Sequence, residues 1–310
     1  RRTWRVIVKK LLFIFNPNSG KAQIKNKLME IIQIFSQADY EVTVYPTKAP
    51  LDGFNYIIKN DMKYGVVAWS GGDGTLNETV GAVLKLDKRL PIGYIPSGTT
   101  NDFAKSLGIP REMREAARNI AKGKLFSCDI GMMLGERSFN YVAAFGAFTE
   151  VSYNTPQQLK NVLGHQAYIL EAAKRFIGLK PYYVRVKSDT VNAEGSFVYG
   201  MVSNTKSVGG MKWIVGNSAD LQDGMFEVTL IKEIHNPLEL QQLVNAFVTQ
   251  NFEDCDMMYS FKASHVEFES ANELAWTLDG EFGGSYNKTV FDVLPGAVDF
   301  IIRSKKKRKL

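Results

Sequence analysis

A chain of 310 residues with 45% hydrophobic content is globular and long enough for two ordinary domains. Its net charge is +6, and no stretch approaches the roughly 20 apolar residues of a membrane-spanning helix. Cys128 and Cys255 lie too far apart in sequence for a disulfide framework or a zinc spacing, and His165, His235 and His265 do not cluster. The cysteine usage fits a reducing compartment, and Arg1-Arg2-Thr3-Trp4-Arg5 does not read as a secretory signal.

The first third alternates strands and helices. Leu11-Leu12-Phe13-Ile14-Phe15 is a continuous apolar run, as expected for a strand covered on both faces. A polar turn, Asn16-Pro17-Asn18-Ser19-Gly20-Lys21, follows. Ile24, Leu28, Ile31, Ile32 and Phe35 recur at helical spacing. Residues 41–47 alternate as a strand and 51–60 read as a helix. The apolar run 65–69 leads into Ser70-Gly71-Gly72-Asp73-Gly74-Thr75-Leu76-Asn77-Glu78, after which 78–86 read as a helix and 91–95 as a strand. This pattern predicts a parallel sheet with helices on both sides, and ligands beyond the carboxyl ends of its strands. The polar turns at 16–21, 70–78 and 96–102 all fall at such ends.

Beyond residue 123 the pattern changes. Segments 126–133, 182–187, 196–202, 226–231, 265–268 and 290–293 read as strands, with apolar and charged residues trading places in 183–187. Two helices, near 157–177 and 237–250, interrupt them. The expected architecture is a Rossmann-like parallel α/β domain over 1–125, then an antiparallel β-sandwich domain over 126–294. Residues 295–310 form a last strand that can return to the first domain, and a basic tail.

The chemistry concentrates in five segments. Three glycines around Asp73, between a strand and a helix, suit phosphate: glycine lets the backbone approach closely, and a helix N-terminus offers unpaired N–H groups to an anion. A carboxylate there would repel phosphates unless a divalent cation lay between them. The 16–21 turn lacks the leading glycine of a phosphate loop and has Ala22 after Lys21; alone it reads as a turn. Pro96-Ser97-Gly98-Thr99-Thr100-Asn101-Asp102-Phe103-Ala104 offers capping or anion-binding groups at a helix start. Asp220-Leu221-Gln222-Asp223-Gly224-Met225 reads equally as a cation site or a hairpin turn. Leu278-Asp279-Gly280-Glu281 offers either a base with its partner or an acidic turn.

Taken in order, these segments resemble the diacylglycerol kinase catalytic family, from about residue 10 to 302, in its compact bacterial soluble form. The resemblance implies a two-domain kinase using ATP and Mg²⁺, with the nucleotide between the domains. It places Asn16, Pro17, Asn18, Ser19, Gly20, Thr47, Gly72, Asp73, Gly74, Thr75, Leu76, Asn77, Glu78 and Thr99 among the nucleotide contacts. Asp73 and Asp102 become ligands of the metal or its waters, and Asp220, Asp223 and the Met225 carbonyl a separate structural Mg²⁺ site, Asp220 being the least secure match. Asp279 and Glu281 match the catalytic acidic pair, Glu281 as proton acceptor with Asp279 as rival base or its orienter. Asp73 is counted with them as catalytic.

The implied reaction is transfer of the ATP γ-phosphoryl group to a lipid hydroxyl, as in diacylglycerol to phosphatidic acid, with Lys21 as a further positive charge near the phosphates. Two alternatives stand beside it: a kinase of a soluble substrate such as NAD, which shares the Gly-Gly-Asp-Gly run but not the 98–103 pattern, and a nucleotide-binding regulator without catalysis. A lipid needs an apolar entry, for which 142–148, with Phe145 and Phe148, and the region around Tyr168 and Phe176 are the candidates; the competing reading is that they pack the core. The basic end, Arg303-Ser304-Lys305-Lys306-Lys307-Arg308-Lys309, reads as a solvated tail or as a device for docking on an anionic membrane. Nucleic acid is not expected, because no aromatic residues interleave with these charges. The expected location is cytoplasmic, peripheral to the inner face of the membrane, and the resemblance suggests a homodimer.

Overall fold

The computed structural model describes residues 9–19, 24–60, 63–98, 101–147, 173–174, 176–205, 220–252 and 254–304. The chain divides into two compact units, residues 1–128 with 296–310 and residues 129–295.

The first unit is built on parallel strands β1 (Lys9–Phe15), β2 (Tyr40–Pro46), β3 (Val66–Gly71) and β4 (Ile92–Pro96), in the order β4-β3-β1-β2. Phe13 stands opposite Val44 on one side and Ala68 on the other. Leu11, Leu12, Phe13 and Ile14 are buried because the sheet is covered on both faces, which is why β1 reads as an unbroken apolar run. Its covering helices are α1 (Ile24–Ser36), α2 (Asp52–Asn60), α3 (Asp73–Leu84), α4 (Asp102–Ser106) and α5 (Met113–Lys122).

Two features depart from the sequence expectation. α3 begins at Asp73 rather than Glu78, so the glycine segment is not a free loop. β3 runs to Gly71, Gly72 is the extended N-cap, and Asp73 and Gly74 form the first helical turn. Helix α5 was not expected; it is short, and only Met113, Ala116, Ala117, Asn119 and Ile120 turn inward. The Glu112 carboxylate caps it by accepting the Glu115 N–H at 2.9 Å.

Strand β5 (Lys124–Met133) leads into the second unit, and β13 (Glu281–Ile302) carries the chain back to the first, where Phe300 pairs in parallel with Ile92. Between them lie β6 (Arg137–Phe139), β7 (Val142–Gly146), β8 (Tyr182–Ser188), β9 (Asn192–Ser203), β10 (Phe226–Lys232), α6 (Pro237–Thr249), β11 (Met258–Ala263) and β12 (His265–Leu278). This unit is an antiparallel sandwich. Strands β7 and β8 both pair with β9 on one side and β12 on the other, at different heights. The sequence reading has separate strands at 265–268 and 290–293 and a last strand within 295–310. In fact β12 and β13 form one long hairpin, whose register slips near Glu269 and Trp276 break the alternation that pattern reading relies on.

The sandwich core is aromatic: Phe139, Phe145, Phe226, Phe268, Trp276 and Phe291. The Phe145 ring centroid lies 5.0 Å from that of Trp276 and 6.0 Å from that of Phe268. Phe145 is therefore core and not a lipid entry, and Phe176 is likewise buried, against Tyr199. Phe148, Tyr168 and all but the end of the helix expected at 157–177 lie outside the described residues, as do Gly20, Lys21, Thr99 and the tail beyond 304.

Candidate active site

The carboxyl ends of β1, β3 and β4 are tied together by hydrogen bonds. Asn16 N–H donates to the Ser70 carbonyl (3.1 Å) and Ser97 N–H to the Gly71 carbonyl (2.9 Å). Ser97 Oγ–H donates to Ser19 Oγ (3.0 Å), joining the first and third turns. Thr47, just past β2, donates its N–H to the Phe15 carbonyl (3.0 Å). Asn16, Pro17, Asn18, Ser19, Thr47 and the Gly72 to Thr75 turn thus gather at one end of the sheet.

Within this end the two glycine segments touch. A Cβ on Gly98 would lie 2.8 Å from the Gly72 Cα, closer than packed atoms permit, so the position requires glycine. Asn101, in the left-handed region at φ 49°, locks the second segment. Its Oδ1 accepts the Gly98 N–H (3.0 Å) and the Tyr94 hydroxyl (3.2 Å), and its Nδ2 donates to the Gly98 carbonyl (2.6 Å). Sequence alone gives Asn101 no such role beyond one local signal, an Asn three residues after a glycine. Gly98→Ala should lower stability by about 1–3 kcal/mol and raise the KM for ATP, read by thermal melting and initial rates. An unchanged KM would mean that the loop contact does not shape the nucleotide site.

Asp73 sits where this framework converges. Its N–H and those of Gly74 and Thr75 belong to the first turn of α3, whose first intrahelical bond is Leu76 N–H to the Gly72 carbonyl (3.0 Å). Those first-turn donors and the helix dipole favour an anion. Asp73 Oδ2 accepts the Asp102 N–H at 3.1 Å, while Oδ1 is buried and has no hydrogen-bond partner. Burial above all pushes the Asp73 carboxyl up to about 6, the nearby Asp102 charge adding to this against the hydrogen bonds it accepts. Asn77 Oδ1, one helical turn along, is also buried without a partner. Asp102 accepts from Lys105 Nζ at 2.8 Å, a pair that the sequence reading overlooked although it stands at i, i+3.

Two residues expected to touch nucleotide are engaged elsewhere. Leu76 is fully buried in the core. Glu78 Oε2 accepts the Leu51 N–H at 3.0 Å and so ties down the turn before α2.

The orphaned Asp73 oxygen fits a cation. Among the described residues no three His, Cys, Asp or Glu side chains gather to hold a metal. Mg²⁺ needs no such cage, since it is commonly held by one or two carboxylates together with substrate phosphates and water. The expected second site fits less well. Asp220, Asp223 and Met225 share one turn, but Asp220 Oδ1 accepts the Gln222 N–H (3.2 Å) and Asp223 Oδ1 the Met225 N–H (3.1 Å). Asp223 Oδ2 pairs with Lys262 Nζ at 2.7 Å, and the same ammonium lies 3.4 Å from Glu227 Oε1. A positive charge already stands there. Burial raises the Glu227 carboxyl to about 7, with the Lys262 charge opposing the rise.

In the second unit the structure gives Asp279 and Glu281 different surroundings. Asp279 and Gly280 form the two-residue loop between β12 and β13, both with positive φ (51° and 89°), the backbone of a type I′ hairpin. The Asp279 side chain is buried. Its Oδ2 accepts the N–H of Asn140 (2.7 Å), and its Oδ1 those of Tyr141 (3.0 Å) and Val142 (3.1 Å). The Tyr141 hydroxyl donates to the Asp279 carbonyl at 3.2 Å. Arg137 braces the other arm through the carbonyls of Gly283 (2.6 Å) and Phe282 (3.2 Å); its separation of about 145 residues from them leaves no sequence signal. Glu281 is exposed, and so is the neighbouring Phe282, 67% accessible. Asp279 anchors the hairpin, and Glu281 is the carboxylate exposed to solvent.

A parallel α/β unit with a glycine-framed helix start, followed by a sandwich that presents an acidic hairpin, fits a kinase of the ATP-dependent type. Comparisons with known proteins agree. Residues 10–133 match the model of the diacylglycerol kinase catalytic domain, and residues 143–302 that of the YegS C-terminal NAD kinase beta sandwich-like domain. The chain is 34% identical over 279 residues to the diacylglycerol kinase of Bacillus subtilis (strain 168), covering 89% of this chain and 91% of that one. It is 32% identical over 281 residues to that of Staphylococcus aureus (strain MRSA252), covering 89% and 87%. A crystal structure of a diacylglycerol kinase from Bacillus anthracis (strain Sterne) superposes with a TM-score of 0.78 at 26% identity, covering 95% of this chain and 97% of that one. The chain belongs to the diacylglycerol kinase family.

Proposed function

We propose that the protein transfers the γ-phosphoryl group of ATP to the free hydroxyl of diacylglycerol, giving phosphatidate and ADP. The observation that carries this reading is the hairpin at 278–283, with buried Asp279 as anchor, exposed Glu281 as carboxylate and exposed Phe282 as an apolar neighbour. A base beside an exposed aromatic ring suits an acceptor hydroxyl on an apolar molecule better than one on a highly charged, water-soluble molecule such as NAD. The curated relatives, named diacylglycerol kinases, support the same choice.

In this reading the N–H groups of the first turn of α3 hold phosphate oxygens, as helix N-termini do. Asp73, with its unpartnered Oδ1, would hold Mg²⁺, with Asp102 close by. When bound, the cation neutralises charge on the β- and γ-phosphate oxygens. Glu281 accepts the proton of the lipid hydroxyl as that oxygen forms its bond to the γ-phosphorus. The bond from the γ-phosphorus to the bridging oxygen breaks, and the electron pair leaves with ADP. General-base help of this kind is worth ~10²–10⁴-fold in rate. Among the described residues no helix is long and apolar enough to cross a membrane. The reading therefore has the protein meet its lipid from the membrane surface, with the cationic run at 303–309 attracted to anionic lipid.

The test is transfer of label from ATP in parallel to diacylglycerol in mixed micelles, sphingosine, phosphatidylglycerol and NAD. Label in phosphatidate is the expected result. Label in NADP alone overturns the reading, and no transfer to any acceptor favours a regulator without catalysis.

A further inference from the structure

A cavity of about 600 Å³ lies in the first unit at the end of the sheet opposite the glycine segments. It is lined where strands begin: Lys9 and Lys10 of β1, Val66 of β3 and Pro91 just before β4. With strands of five to seven residues rising about 3.3 Å per residue, it stands on the order of 15–20 Å from the carboxyl ends. It is separate from the ATP site.

Four lysines surround it: Lys9, Lys10, Lys63 and Lys88. Among the described residues none of the four makes an ion pair, although Glu41 stands opposite Lys10 in the β1–β2 register and Asp87 precedes Lys88 in sequence. Three are held by neutral partners instead. Lys63 Nζ donates to Asn60 Oδ1 (2.7 Å), Lys88 Nζ donates to the Tyr64 carbonyl (3.3 Å), and Lys9 Nζ lies 5.9 Å from the centre of the Tyr40 ring. An ammonium held by an amide, a carbonyl or an aromatic face keeps its net charge, whereas a carboxylate partner would cancel it. The rest of the lining is mostly apolar, with Ile120, Ile301 and Leu125, the last 57% exposed, beside Tyr40 and Tyr64. Four cations without a carboxylate ion-pair partner, beside a mostly apolar wall, match a group that is doubly negative at one end and apolar next to it.

We infer that this cavity is a second binding site, for a phosphate monoester carried on an apolar or short carbon stem, distinct from the ATP site. The phosphate can belong to a lipid headgroup or to a soluble organic phosphate, and the two sources are separated by experiment. The full chain, with saturating ADP to occupy the phosphate-binding turns, is tested in two arms: equilibrium dialysis with glycerol 3-phosphate, and co-sedimentation with phosphatidylcholine vesicles with or without phosphatidate. The triple variant Lys10→Gln, Lys63→Gln, Lys88→Gln is run beside the wild type. The basic tail is common to both proteins, so the difference between them reads the cavity.

At ~1 kcal/mol per cation, each lysine removed should weaken binding about five-fold and the triple variant about 10²-fold. Should the triple variant fail to fold, Lys10→Gln alone carries the test, with a five-fold loss expected. Binding in the dialysis arm identifies a soluble phosphate, and phosphatidate-dependent binding in the vesicle arm a lipid headgroup. Equal binding by wild type and variant, or no binding by the wild type in either arm, overturns the inference.

Discussion

Glu281→Gln should lower kcat by ~10²–10⁴-fold and leave the thermal midpoint unchanged, whereas Asp279→Asn should lower the midpoint first. The difference follows from their surroundings. Glu281 is exposed, so the amide replaces it without packing cost. Asp279 accepts three N–H groups from Asn140, Tyr141 and Val142 in a buried setting. An Asn there keeps one acceptor and turns an NH₂ toward a backbone N–H, leaving buried donors unsatisfied at roughly 2–4 kcal/mol in all. Differential scanning fluorimetry and initial rates on both variants decide the matter. If Asp279→Asn melts like the wild type and loses turnover outright, Asp279 is the base and the assignment of Glu281 is wrong. Arg137→Ala, which removes the brace on Phe282 and Gly283, should raise the KM for lipid more than it lowers kcat.

Asp73→Asn should abolish most turnover, at least ~10²–10³-fold, and at the same time make the metal-free protein more stable above pH 6. The Asp73 carboxyl titrates at about 6 in the fold, against about 4 in an unfolded chain. Between those values the folded state binds more protons than the unfolded state, so stability falls as pH rises through that window. The full cost, about 3 kcal/mol at ~1.4 kcal/mol per unit, is present above the folded value. The Asn variant carries no such charge. Its stability in EDTA should lack this fall between pH 4 and 6 and exceed that of the wild type at pH 8. Binding of Mg²⁺ with ATP to the wild type near pH 6 should release a proton, and the variant should not. A variant that is less stable than the wild type at pH 8, or that turns over normally, would remove Asp73 from the metal site. If Asp73 holds the cation as proposed, its destabilising carboxylate is the sort of conflict between stability and activity that a catalytic position imposes.

Much of the first unit was legible in the sequence because its signals are local. A buried parallel strand reads as an apolar run, and a phosphate-binding helix start needs glycine and polar residues next to it in the chain. Reading alone placed the turns at 16–21, 70–78 and 96–102 at strand ends, and the fold gathers their described parts at one end of the sheet. The helix start at Asp73 was misplaced by five residues, since glycines suggested a loop where Gly72 is a cap and Gly74 already helical. The sandwich was less legible. The bulges in the β12–β13 hairpin disrupt the alternation of period two, and its aromatic core looks from sequence the same as a lipid-facing surface, as with Phe145.

The sequence by itself determined the chemistry on offer: a glycine-framed helix start with Asp73, and an acidic pair at 279 and 281. It left open which of that pair would act. Only the tertiary structure tells the two apart by their surroundings, because it buries Asp279 among backbone donors that come from 137 to 139 residues away and leaves Glu281 exposed. The close approach of Gly98 to Gly72 and the convergence of lysines at the amino ends of the strands are of the same kind. Both depend on distances between segments that are remote along the chain, and local residue patterns carry no record of those distances.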